Sequence, residues 1–204
     1  LFVVMEENCV QYDAATGNIV RTLTVPGNTA AKERQWGYIA YEDGLIFGAA
    51  TDRKELAAER TRRGQTAADA SDHIFAFDAK TGELKWNYQS KHISHVSIAI
   101  GDGHVFLVDS SMTPEQREVM LAEDKTELKK LTGKEQEIAE ARIKKADLRL
   151  AISLDAKTGK QEWSKPVDVT DCSEIGEGGG SLTLIYQNGH IVLGGANANG
   201  HYWQ

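Results

Sequence analysis

The sequence predicts an all-β fold: part of a β-propeller of four-stranded antiparallel blades, about three blade-equivalents long, with an inserted α-helical hairpin. Two interleaved repeats and one interruption carry this reading. The first repeat is a turn, Asp13-Ala14-Ala15-Thr16-Gly17, which returns as Asp78-Ala79-Lys80-Thr81-Gly82 and as Asp155-Ala156-Lys157-Thr158-Gly159. The second is a shorter turn, Asp43-Gly44, which returns as Asp102-Gly103 and Asn188-Gly189. The interruption is a charged stretch over 113–150 whose apolar residues fall at helical spacing.

Each element follows from its residues. Asp-Gly and Asn-Gly between apolar runs are strong hairpin signals, because both turn positions need positive φ. They join strands A and B: Tyr38–Tyr41 to Leu45–Phe47, Ser97–Ile100 to His104–Phe106, and Thr183–Tyr186 to His190–Val192. The longer turn joins strands C and D. Its Asp side chain can accept hydrogen bonds from backbone N–H groups two and three residues on, and its Gly supplies the positive φ. Residues 1–25 therefore read as strands B, C and D of one blade. Residues 36–89 read as a complete blade and 95–165 as another, and 181–204 supplies strands A and B of a fourth. Propellers close with about 4–8 blades, so the expectation is a piece of a longer protein.

Strand alternation assigns the connections to faces. All A–B and C–D turns share one face. All B–C and D–A connections share the other, and the long segments 26–35, 51–72, 89–94, 110–148 and 166–180 fall there. Function concentrates in long loops held by a rigid scaffold, so a ligand site is expected on that face. Two of these segments are insertions. In 110–148, Thr113-Pro114-Glu115-Gln116 has the form of a capping box with proline at the first helical position. Leu121, Leu128 and Leu131 mark one helical face, Thr132-Gly133-Lys134-Glu135 offers a second capping box, and Ile138, Ile143 and Ala146 continue on a second helix. This hairpin, 113–150, reads as a solvated arm or as a partner-docking arm. In 51–72, Arg53, Lys54, Arg60, Arg62 and Arg63 give a basic short helix or loop.

Composition excludes several classes. The 204 residues carry a net charge of −7, which opposes a nucleic-acid partner bound through bulk charge. No apolar run approaches the roughly 18–20 residues of a membrane helix, and no signal peptide is present in this piece. The two cysteines, Cys9 and Cys172, form no CxxC and read as separate thiols.

The C–D turns with their flanks resemble the PQQ-like repeat of quinoprotein-type β-propellers, whose pattern is Ala-x-Asp-x-x-Thr-Gly-x-x-x-Trp. Ala76, Asp78, Thr81, Gly82 and Trp86 match it in full. Asp155, Thr158, Gly159 and Trp163 match, with Ser153 in place of Ala. The first copy keeps Asp13, Thr16 and Gly17 but has Gln11 for Ala and Arg21 for Trp. The resemblance implies that Trp86 and Trp163 lock neighbouring blades and that the protein is periplasmic or on the cell surface. It leaves two functions open: a binding scaffold, or a fragment of a PQQ-dependent dehydrogenase oxidising alcohols or sugars.

PQQ with Ca²⁺ would need an aromatic to stack on, a cation for its carboxylates and oxygen ligands for the metal. Arg34, Trp36, His95 and Glu177 lie at the entrances to the A strands and are the candidate cofactor-binding residues. No catalytic set is recognisable. His92 and His95, three apart, lack an evident third ligand, so no metal site is assigned. Gly178-Gly179-Gly180 precedes a strand rather than a helix and is not a phosphate loop.

Overall fold

The computed structural model describes residues 1–29, 34–51, 70–170 and 182–195. Within them the chain runs β1 (Phe2–Met5), β2 (Asn8–Tyr12), β3 (Ile19–Thr24), β4 (Gln35–Glu42), β5 (Leu45–Thr51), β6 (Ala70–Asp78), β7 (Leu84–Gly101) and β8 (His104–Asp109). Three helices follow, α1 (Pro114–Met120), α2 (Ala122–Leu128) and α3 (Gly133–Lys145), then β9 (Leu148–Asp155), β10 (Gln161–Asp168), β11 (Thr183–Gln187) and β12 (His190–Gly194). The sheets are antiparallel: β1-β2-β3, then β4 through β10 in sequential order, then β11-β12. The chain is thus a partial propeller, with blades β4-β5-β6-β7 and β7-β8-β9-β10 at its centre.

The turns behave as their chemistry requires. Asp13, Asp78 and Asp155 each accept, through Oδ1, the backbone N–H of the following Thr at 2.8 Å. These bonds stabilise the carboxylate form, and each of the three carboxyls is held below its ordinary value, with hydrogen bonds from the turn threonine as the leading cause. In the A–B turns Asp43, Asp102 and Asn188 take φ of 47°, 50° and 49°, and the glycine after each lies at 76–80°. Two successive positive φ values match the right-handed twist of the strands they join.

One connection differs from expectation. Segment 89–94 is not a loop but the middle of β7, an 18-residue strand. Between Tyr88 and Ile100 the sequence has no Gly, Pro, Asn or Asp to break it. Its first half pairs with β6 (Ile74↔Tyr88, Ser71↔Ile93) and its second with β8 (Ile98↔Leu107, Ile100↔Val105). The register shifts in passing from one partner to the other, so the two central blades share a strand.

Blades meet through apolar layers. Phe47, Ile74, Trp86, Ile93, Leu107, Ile152 and Leu154 fill the space between the central blades. Trp86, 7% exposed, closes one end of that layer, and its Nε1 donates to the carbonyl of Ala156 at 2.8 Å. A Cβ on Gly159 would lie 2.5 Å from the indole Cδ2, so the glycine is what admits the ring. Arg21 stands where the first repeat departs from Trp, and it reaches the same feature one blade earlier. Its guanidinium donates to the carbonyl of Lys80 at 2.6 Å, beside Gly82. Trp163 packs on Phe106 at a ring separation of 6.2 Å in the layer below β11. Tyr186 of β11 stacks on Phe106 at 4.9 Å and donates to Asp102 Oδ2 at 2.6 Å.

The helices lie between β8 and β9. The capping box at Thr113 and Gln116 forms in both directions, at 3.2 and 2.9 Å. The expected first helix is split, because Leu121 leaves helical geometry and is buried with Ala146 and Leu148 at the base. Thr132 begins α3 without a side-chain cap, so the second capping box does not form. Among the described residues no helix is long and apolar enough to cross a membrane. Most of the 51–72 insertion, with its basic residues, lies outside the described residues.

Candidate polar site on the loop face

Strand ends from β4, β6 and β8 and the middle of β7 meet on the face that carries the long connections, and most of the buried polar residues gather there. Arg34 enters just before β4. Its backbone is held in both directions by the Asn28 side chain, at 2.8 and 2.9 Å. Its buried guanidinium donates to Asp72 Oδ2 at 3.0 Å. The other Asp72 oxygen lies 2.8 Å from His73 Nδ1. Burial pushes the Asp72 carboxyl up, but the hydrogen bonds and charges of His73 and Arg34 together outweigh it and hold the group below its ordinary value.

One residue away, Ser71 Oγ and His95 Nε2 are 2.6 Å apart, and both residues are buried. The imidazole lies against Gly37, where a Cβ would come within 2.5 Å of its Cε1. At the end of β8, Asp109 is completely buried. Its Oδ1 accepts the His92 backbone N–H at 2.9 Å, and its Oδ2 has no hydrogen-bond partner among the described residues. Burial raises Tyr88, and the Asp109 charge adds to that rise.

The expected cofactor residues are only partly brought together. Arg34 and His95 are neighbours through the Ser71-Asp72 pair of β6. Trp36 is not with them. It is 3% exposed and projects from the other side of β4, stacked on Phe77 and edge-on to Phe75. With the surrounding core of Cys9, Leu23, Val25 and Ile46, this leaves no open indole face for a planar ligand. The β4–β5 register shifts between Trp36 and Tyr38, and it is Gly37 in that irregularity, not Trp36, that lies against His95. Glu177 and the glycine run after it lie outside the described residues. Asp72, Ser71 and Asp109 were not singled out from the sequence. The signal available was a carboxylate at the end of an otherwise apolar strand, Asp109 after His104–Val108.

The described residues do not fit PQQ with Ca²⁺. Trp36 has no free face, Arg34 is committed to Asp72, and His95 is bound to Ser71. Among the described residues no three His, Cys, Asp or Glu side chains are grouped to hold a metal ion. The cluster's chemistry is that of a polar brace tying β4, β6, β7 and β8 together at one end.

The sequence matches a family described as outer membrane protein assembly factor BamB over residues 1–151. No curated protein matches it. Among solved structures it is similar to BamB from Moraxella catarrhalis, with 13% identity, a TM-score of 0.46, and coverage of 100% of this chain and 46% of that one. It is also similar to the quinohemoprotein alcohol dehydrogenase from Comamonas testosteroni, at 17% identity and TM-score 0.49, covering 98% of this chain and 31% of that one. For a europium-containing methanol dehydrogenase the figures are 14% and 0.44, with 81% and 22% covered. The chain spans less than half the length of each of these three structures.

Proposed function

The chain belongs to the PQQ-like propeller family described as outer membrane protein assembly factor BamB, and from that premise we propose that it is a binding scaffold rather than a redox catalyst. The observation that carries this reading is the placement of Trp36. The aromatic best situated by sequence to stack on a quinone is instead core, and the cation and imidazole expected beside it are bound to Asp72 and Ser71. The loop face is then a rigid support for what projects from it.

The projecting part is the helical segment, residues 114–145. Its outer surface is charged and exposes Val119 and Ile138, and it contacts the sheet mainly at the base around Leu121. On this reading the segment docks a protein partner, the protein works in the periplasm or at the outer membrane, and its process is outer-membrane protein assembly.

The test uses the full-length protein. Removing the gene lowers the level of outer-membrane β-barrel proteins, the intact gene restores it, and a gene lacking codons 114–145 does not. The purified protein given PQQ and Ca²⁺ shows no dye-linked alcohol or sugar oxidation. Saturable PQQ binding with turnover overturns the scaffold reading in favour of a quinoprotein dehydrogenase.

A further inference from the structure

We infer that the joint between the first blade (β1-β2-β3) and the second is a hinge, pinned at the loop face and clasped at the turn face by Arg21. The two ends of this joint differ in kind. At the loop-face end Cys9, Leu23 and Val25 pack on Trp36, Ile46, Ala50 and Phe75 in one buried layer. There the Trp36 backbone N–H also donates to the Glu6 carbonyl at 2.7 Å, so a main-chain bond crosses the joint. At the turn-face end the layer thins to Phe77 and the half-buried Phe2 and Ala79. A cleft of about 510 Å³ opens between the blades, lined by Phe2, Gln11, Tyr41, Asp43, Asp78 and Lys80 among others.

Both departures from the repeat fall at this open end. In the second blade the corresponding positions are Ala76 and Trp86, both buried in the apolar layer. In the first they are Gln11 and Arg21, which face each other across β2 and β3. Gln11 Oε1 and Arg21 Nε are shielded from solvent without a partner among the described residues. The side-chain hydrogen bond that crosses the joint here runs from the Arg21 guanidinium to the Lys80 carbonyl, at an exposed position. Water competes for such a bond, whereas a buried indole has no competitor. The second joint has the opposite construction: Trp86 seals its turn-face end, and the continuous β7 ties its loop-face end. The clasp therefore opens first, and it opens at one end only.

Pulsed electron-resonance distances on the full-length protein test this. Nitroxides at Ala15 and Glu83 span the first joint at the turn face, and nitroxides at Glu83 and Lys157 span the second, with Cys172→Ser as background and the fully buried Cys9 kept. The first pair is expected to give a broader distribution than the second. Arg21→Ala broadens it further, and Gln11→Ala with Arg21→Trp narrows it to the width of the second. Arg21→Lys, which keeps the aliphatic stem and the charge but not the planar fork, broadens it less than Arg21→Ala. The second pair keeps its width in every variant. Equal widths at the two joints, or a first-joint width that ignores Arg21, overturn the proposal.

Discussion

Trp86 offers the sharpest test of how the central blades are held together. Its indole is 7% exposed, fills the end of the inter-blade layer and donates to Ala156. A buried indole removes about 200 Å² from water, which at about 25 cal/mol per Å² is worth about 5 kcal/mol as an upper figure. Removing it also leaves a cavity beside Gly159 and an unpaired Ala156 carbonyl, while partial collapse recovers some of the loss. Large-to-small core changes of this type cost about 3–5 kcal/mol, so Trp86→Ala is expected to lose about 4 kcal/mol. Trp86→Phe keeps most of the packing and loses the donor, for about 1–2 kcal/mol. Urea unfolding followed by far-ultraviolet circular dichroism measures both, with the denaturant slope checked for constancy. Trp163, only half-buried on Phe106, is the internal comparison and costs less. A loss of under about 1 kcal/mol for Trp86→Ala, against the range expected for a buried aromatic, refutes the docking argument. So does a Trp163→Ala loss equal to that of Trp86→Ala.

Four further outcomes follow from the same structure. Arg34→Ala leaves the half-buried Asp72 carboxylate without its cation and is expected to cost about 1.5–2 kcal/mol in thermal or urea unfolding; Arg34→Lys recovers part of it. Asp155 titrates below its ordinary value in the folded chain, so it stabilises the fold above the unfolded carboxylate range and loses that contribution as pH falls through the folded value. The stability difference between wild type and Asp155→Asn is therefore largest near neutrality and shrinks below about pH 4; a pH-independent difference contradicts the Asx-turn account. Tyr186→Phe removes only the exposed bond to Asp102 and costs about 0.5–1 kcal/mol. Gly101→Val, which puts a side chain where the Tyr186 ring lies, costs more and abolishes the near-ultraviolet signal of the Phe106–Tyr186 stack.

The elements that read clearly from sequence are those whose cause is local. Asp13, Asp78 and Asp155 make their turns with atoms two and three residues away, and Asp43-Gly44 and its relatives need only their own φ values. Position in the blade was harder. Trp36 and Arg34 are two residues apart at the entrance to one strand, yet one is core and the other polar brace, because Arg34 precedes the strand and the register shifts just after Trp36, and neither break is written in the local pattern. Arg21 was visible as a departure from the repeat. That it reaches the Lys80 carbonyl, 59 residues on, depends on how two blades stack, and no local pattern encodes that. The continuity of β7 was legible in principle from the missing turn residues between Tyr88 and Ile100. The blade pattern on either side argued for a break there.

That shared strand changes how the molecule comes apart. In a repeat array each unit has its own free energy and a coupling to its neighbours, and partly unfolded states are populated when the coupling is weak. A strand that supplies the last rung of one blade and the first of the next makes that coupling covalent. Fraying β7 strips hydrogen bonds from β6 and β8 at once. The sheet from β4 to β10 should therefore melt as one cooperative block, with a single protected set of amides in native-state hydrogen exchange, while β1–β3 and β11–β12 exchange as separate and less stable units.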